Sequence, residues 1–125
     1  MLPLRFPRIW LTLGLLLVAG VVVGSLLPGN ALPIILQRDK LVHAGSYLLL
    51  MVWFAGIYER KRHLMVAIVL AALGFALDAM QGGIATRTFD LRDVLANITG
   101  IAIGFVLSRV LFAGWCQRVE RLLLA

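Results

Sequence analysis

The sequence predicts an all-α membrane protein: one bundle of four transmembrane helices joined by short loops. Three observations predict it. Hydrophobic residues make up 62% of the 125-residue chain and charged residues only 14%, whereas ordinary soluble domains are nearer half and a quarter. The apolar residues gather into four runs of about 18–20 residues, roughly the length that crosses a hydrocarbon core as a helix. The charges fall in short clusters between those runs. A chain of this length holds one domain, and no soluble catalytic domain fits beside the apolar segments.

The first run, Ile9 to Leu27, follows a basic lead with Arg5 and Arg8 and is closed by Pro28, Gly29 and Asn30. A secretory signal is the rival reading. The run is longer than a usual signal core and no small-x-small cleavage site follows it, which favours a retained helix. The second run is Leu41 to Tyr58, after a loop carrying Arg38, Asp39 and Lys40. Glu59 to His63 form a tight charged turn, and His63 reads there as a solvated loop residue. The third run is Leu64 to Gln81, ended by Gly82 and Gly83. The fourth is Asp93 to Phe112, after a polar loop. The tail, Gly114 to Ala125, sets Arg118, Glu120 and Arg121 among leucines and predicts a short interfacial helix. Strands would need about half these lengths and an alternating pattern. Trp10, Trp53 and Trp115 read as interfacial or lipid-facing anchors.

The net charge of +6 and mean hydropathy of +0.98 fit a membrane protein better than a nucleic-acid binder. Eight of the 12 Lys and Arg flank the N-terminus, the second loop and the C-terminal end, while the first and third loops hold Lys40, Arg38, Arg87 and Arg92. The larger group belongs to the cytoplasmic side. Both termini are then inside, and the first and third loops face outward. The single cysteine, Cys116, excludes an intrachain disulfide and has no nearby His or Cys to suggest a metal site.

Helical spacing brings polar residues onto shared faces near the outer ends. Lys40, His43 and Tyr47 align on the second helix, Gly74, Asp78 and Gln81 on the third, and Asp93, Asn97, Gly100 and Gly104 on the fourth. Val94, Leu95, Ile98, Ile101 and Ile103 form the opposite, lipid-facing side of that helix. Arg87, Asp90 and Arg92 lie in the loop above. An ionisable group at membrane depth costs about 2.5–3.5 kcal/mol on insertion scales, so Asp78 must meet partners or water. The bland reading is structural: Asp78 and Asn97 tie helices together, and Tyr47 is a core tyrosine bonded to one of them. The set as a whole leans towards function, because tying helices together does not need so many charges on one side. Gly100-x-x-x-Gly104 serves close packing within the monomer.

These residues carry a resemblance. Asp39-Lys40-x-x-His43-x-x-x-Tyr47, then Gln81, then Arg87-x-x-Asp90-x-x-Asp93-x-x-x-Asn97-x-x-Gly100-x-x-x-Gly104, over about residues 39–104, resembles the VanZ-like family of small bacterial membrane proteins. One departure is Asp78, where the family usually has Glu three residues before the Gln. The resemblance implies the fold, a place in the bacterial inner membrane, and a link through one member to teicoplanin resistance.

Binding is the first functional expectation. An outward pocket of Lys40, His43, Tyr47, Asp78, Gln81, Arg87, Asp90, Asp93 and Asn97 would hold an anionic lipid headgroup or a lipid-linked cell-wall precursor, with Arg supplying paired hydrogen bonds. The alternative is an intramembrane enzyme with His43 as base and Asp78 or Asp93 orienting it. An assembly role with purely structural polar contacts ranks third. Within the enzyme reading the alternative is a hard divalent cation held by Asp78, Asp93 and Asn97 as oxygen ligands; the cofactor and oligomeric state are left open, and nucleic acid is not an expected partner.

Overall fold

The computed structural model describes residues 2–26, 40–81 and 91–124. Among these the chain is helical without strands. Helix α1 is Pro7–Leu26, α2 is Lys40–Ile57, α3 is His63–Gln81, α4 is Leu91–Val110 and α5 is Trp115–Leu124; a 3₁₀ turn, Arg60–Arg62, joins α2 to α3. Three segments, Pro7–Ser25, Arg60–Met80 and Leu91–Val110, are long and apolar enough to cross a membrane, and Leu41–Ile57 is a shorter apolar helix.

Helix α2 is the axis of the bundle and touches α1, α3, α4 and α5. Its Tyr47, Leu50, Met51 and Ala55 supply most of the core, joined by Val66 and Leu70 of α3 and Ile101 of α4. Large apolar side chains on the outer helices point outward, among them Leu15 and Leu16 on α1, Ile68 and Phe75 on α3, and Leu95 and Val106 on α4. Exposed apolar area on this scale suits lipid rather than water.

The closest packing joins α2 to α4. A Cβ at Gly100 would collide with the carbonyl of Ala44, and one at Gly104 would lie 2.9 Å from Met51 Cβ and 3.0 Å from the Leu48 oxygen. Residue numbers rise together along this contact, so the two helices run parallel. Helix α3 runs antiparallel to both. The buried stripe of α4 is Val94, Asn97, Gly100, Ile101, Gly104 and Ser108. Leu95, Ile98 and Ile103 are exposed as expected, but Val94 and Ile101 are buried. The correction has a simple geometry: 94, 97, 101 and 104 recur at three and four residues, so the stripe that carries the glycines carries these two side chains inward.

The end of the bundle where the termini meet is held by the three tryptophans. Trp10 and Trp115 are 5.4 Å apart between ring centroids, and Trp53 lies 5.7 Å from Trp10 and 5.1 Å from Trp115. They form a packed cluster, not separate anchors. Every indole N–H has an acceptor: Trp10 donates to Glu120 at 2.9 Å, Trp53 to the Trp10 carbonyl at 3.0 Å and Trp115 to the Val52 carbonyl at 2.7 Å. Glycines make the room: a Cβ at Gly14 would lie 2.9 Å from Trp53, and one at Gly56 would collide with Trp115. Gly114, at φ 63°, adopts the left-handed conformation that turns the chain from α4 into α5.

Glu120 of α5 closes this cluster onto the start of α1. Its carboxylate accepts the Arg5 amide at 2.7 Å and the Phe6 amide at 2.9 Å, directly ahead of Pro7, a residue suited to the first helical position. A carboxylate there satisfies orphan N–H groups and complements the positive end of the helix dipole.

His63 is also placed differently from the expectation of a solvated residue. It is 4% exposed, and its Nε2 lies 2.9 Å from the Ala55 oxygen and 3.2 Å from the Tyr58 oxygen. The last carbonyls of a helix lack intrahelical partners, and the tight turn sets His63 beneath those of α2.

Two outcomes are expected. Replacing Gly100 with Leu should destabilise the protein by at least about 1–3 kcal/mol through overpacking, whereas Gly45→Leu, where nothing lies within 4 Å of a Cβ, should leave it near wild type. Unfolding in detergent measures both. For Glu120, burial acts to raise the carboxyl pKa, but the Arg5 and Phe6 amides, the Trp10 indole and the Arg5 charge outweigh it and hold the group below its ordinary value. A depressed folded pKa gives stability that is present above the unfolded value and lost as pH falls through the folded one. Acidification below the usual carboxylate range should therefore loosen the tryptophan cluster and shift its fluorescence to the red. A Glu120→Gln protein should lack that acid-dependent shift.

Candidate functional site

At the opposite end from the tryptophans, three helices bring polar side chains into the core. Asp78 of α3 is 3% exposed and Asn97 of α4 is 2% exposed. The Asn97 amide Nδ2 donates to Asp78 Oδ2 at 3.1 Å. An ionised carboxylate only accepts, so the amide must turn its nitrogen towards it. Tyr47 of α2 completes the group. A Cβ on Gly74 would stand 3.2 Å from Tyr47 Cζ and 3.3 Å from Asn97 Nδ2. The missing side chain of Gly74 thus lets the Tyr47 ring and the Asn97 amide approach the same point on α3. Asn97 Oδ1 is buried and has no hydrogen-bond partner.

His43 sits one turn before Tyr47 on α2 and is half-buried. It faces a cleft of about 370 Å³ between α1 and α2, lined by Leu16, Leu17, Gly20, Val21, Gly24 and Ser25 on one side and by Val42, His43, Ser46 and Tyr47 on the other. The cleft exists because the two helices diverge. At Gly14 they are close, a Cβ there falling 2.9 Å from Trp53 and Phe54, while at Gly20 and Gly24 a Cβ would find nothing within 4 Å among the described residues. Ser46 donates its hydroxyl to the Val42 carbonyl at 2.7 Å. The walls are mostly apolar, with the His43 ring and the Tyr47 side chain as polar features. Tyr47 belongs to both places: it lines the cleft and meets Gly74 beside the Asp78–Asn97 pair.

The residues singled out from the sequence therefore separate into groups. Tyr47, Asp78 and Asn97 come together. His43 joins them through Tyr47, and no hydrogen bond or ion pair links it to Asp78 or Asp93 among the described residues. Asp93 is half-buried one turn before Asn97. Lys40 opens α2 and Gln81 closes α3. Arg87 and Asp90, with the side chains of Lys40 and Gln81, lie outside the described residues. Among the described residues no three His, Cys, Asp or Glu side chains are grouped to hold a metal ion.

The sequence reading left α1 out of the polar group, and the structure sets α1 along the cleft beside His43. The signal was present: Gly20-x-x-x-Gly24 followed by Ser25 is a small-residue stripe, a pattern that ordinarily serves helix contact. Here it faces the open cleft.

The Asp78–Asn97 bond should show as coupling in a double-mutant cycle. Asp78→Ala and Asn97→Ala, alone and together, should give an interaction energy between about 0.6 and 1.7 kcal/mol, the range found for polar pairs between membrane helices. Unfolding in detergent reads it, and additive effects would mean the bond does not hold α3 to α4. Comparison with protein-family models, with curated proteins and with solved structures gives no match to this chain.

Proposed function

We propose that this chain is a four-span, VanZ-like protein of the bacterial cytoplasmic membrane, and that it binds an anionic, lipid-linked envelope ligand in the α1–α2 cleft. The observation that carries the reading is the divergence of α1 from α2 around His43. It leaves two apolar walls suited to an acyl or isoprenyl chain, with imidazole and phenol groups at one level between them. Sites of this kind, apolar with a few polar groups that fix orientation, are the usual form of a small-molecule site.

Register supports the proposed fourth span. Helix α2 lies parallel to α4 from the Ala44–Gly100 contact to the Arg60–Arg109 contact. If α4 crosses the membrane, α2 crosses beside it. At about 1.5 Å per residue its 18 residues reach about 27 Å, close to the hydrocarbon thickness of roughly 30 Å. The termini share one end with Arg60, Lys61, Arg62 and Arg109, and the positive-inside rule makes that end cytoplasmic. The cleft then faces the outer leaflet. Lys40 and Arg92 stand at the outer ends of α2 and α4, where the headgroup of such a ligand would carry its charge. Asn97 Oδ1 is available to accept a hydroxyl from the ligand or from water.

Binding is the stronger reading and catalysis the weaker, because neither carboxylate is hydrogen-bonded to the His43 ring among the described residues. By resemblance, loss of the protein would change teicoplanin susceptibility in its host.

Native mass spectrometry tests the reading. Wild-type protein should carry an anionic lipid-linked molecule. His43→Ala should weaken its retention, and Gly20→Leu, which fills the cleft where there is room for a side chain, should displace it without loss of thermal stability. An identical bound mass and occupancy in all three proteins would refute the cleft as the site.

A further inference from the structure

A second cavity lies at the basic end of the bundle, far from the α1–α2 cleft. It measures about 290 Å³ and is lined by residues that include Tyr58, Arg60, His63, Ser108, Arg109 and Gln117. Among the described residues no carboxylate lines it. Two of its lining residues hold buried nitrogen atoms without a hydrogen-bond partner, His63 Nδ1 and Arg109 Nε.

The chemistry of these two nitrogens is constrained. His63 Nε2 faces two carbonyl oxygens, those of Ala55 and Tyr58. Carbonyls only accept, so Nε2 carries a proton, and Nδ1 is the nitrogen left for another partner. With a second proton the ring becomes a cation whose Nδ1–H donates. Arg109 is held by stacking, its guanidinium 4.4 Å from the centre of the Phe105 ring. Its Nη2 reaches the Arg60 backbone oxygen at 3.5 Å, and its buried Nε has no hydrogen-bond partner among the described residues.

The acids of this end are committed elsewhere. Glu120 is held by the Arg5 and Phe6 amides and the Trp10 indole, and Glu59 pairs with Lys61 at 3.2 Å. One unpartnered donor, Arg109 Nε, and one unpartnered ring nitrogen, His63 Nδ1, thus belong to a cavity that no carboxylate lines among the described residues.

We propose that this cavity is an anion site that takes a phosphate group between the Nε edge of Arg109 and Nδ1 of His63. A guanidinium edge matches two phosphate oxygens, and an imidazolium N–H reaches a third. The phosphate comes either from a lipid headgroup or from free phosphate in the surrounding water. Helix α5 is close by, with Leu122 and Leu123 at 80% and 77% exposure and Arg118 and Arg121 beside them. That pattern suits a helix lying at headgroup level.

The test uses the full chain in phosphatidylcholine nanodiscs, with ¹⁵N-labelled histidine. Inorganic phosphate is titrated in one arm, and phosphatidylglycerol is added to the disc in the other. The Nδ1 signal of His63 should move. Movement with both additions assigns a general phosphate site. Movement only with phosphatidylglycerol assigns the lipid diester. Arg109→Gln should weaken the response at least about tenfold, as expected for a lost hydrogen bond between charged groups. His63→Gln keeps a donor for the Ala55 carbonyl and should also lose binding, whereas Thr99→Val, an exposed position on α4 outside both cavities, should not. A His63 signal that stays still in both arms overturns the proposal, and so does unchanged affinity in Arg109→Gln. The wild-type titration decides the matter even if a variant fails to fold.

Discussion

The approach of α2 to α4 at Gly100 and Gly104 is the contact on which the rest of the molecule depends. Lipid gives helices no hydrophobic reason to associate, so packing and interhelical hydrogen bonds must do so. Two glycines one turn apart let the backbones come together at Ala44 and Leu48. That contact fixes a register as well as a distance. A slip of one turn, about 5.4 Å, would carry Asn97 away from Asp78 and Tyr47 away from the gap at Gly74. The polar group at one end is therefore a consequence of the glycines in the middle.

The same arrangement explains why α1 is held unevenly. Helix α2 is covered by α3 and α4 along its length, and α1 takes the remaining side. At the basic end the tryptophans and Glu120 clamp α1 through four side-chain hydrogen bonds. Towards the other end, Gly20 and Gly24 face open space. A helix fixed at one end and free of close contact at the other leaves a wedge. The cleft beside His43 is that wedge.

Much of this was legible in the sequence, and the misses share a cause. The helices follow from the lengths of the apolar runs, and the meeting of Asp78 with Asn97 follows from three- and four-residue spacing on antiparallel neighbours. A tryptophan, however, looks the same whether its N–H meets a headgroup or a backbone carbonyl. Trp53 and Trp115 found carbonyls that only the crossing of α1, α2 and α5 supplies. His63 adjoins three cations in the chain and so reads as solvated, yet its partners are the unpaired carbonyls of the preceding helix. Val94 and Ile101 are apolar residues on a stripe named for its polar members, and only the neighbour against them decides their burial. The glycine pair on α1 was visible as a pattern, but not the absence of a helix opposite it. In each case the residue's identity was plain, and what it met was set by a turn or a helix crossing that the pattern of residue types does not show.

The buried polar atoms left over have a pattern of their own. Three side-chain atoms among the described residues are buried without a partner: Asn97 Oδ1, His63 Nδ1 and Arg109 Nε. Native proteins seldom leave such atoms unmet, because each costs about 1–3 kcal/mol when desolvated. Two of them belong to residues that line one cavity. Asn97 packs beside Tyr47, which lines the cleft, and the two nitrogens belong to residues that line the basic pocket. Their chemistry differs in kind as well as in place. The amide oxygen asks for a donor, such as a hydroxyl or water, and Arg109 Nε asks for an acceptor. A bundle stabilised only by internal polar contacts would satisfy these atoms within itself, as it does for every indole N–H. An acceptor near one end and two nitrogens at the other are thus the places where the internal polar contacts of the described residues stop short.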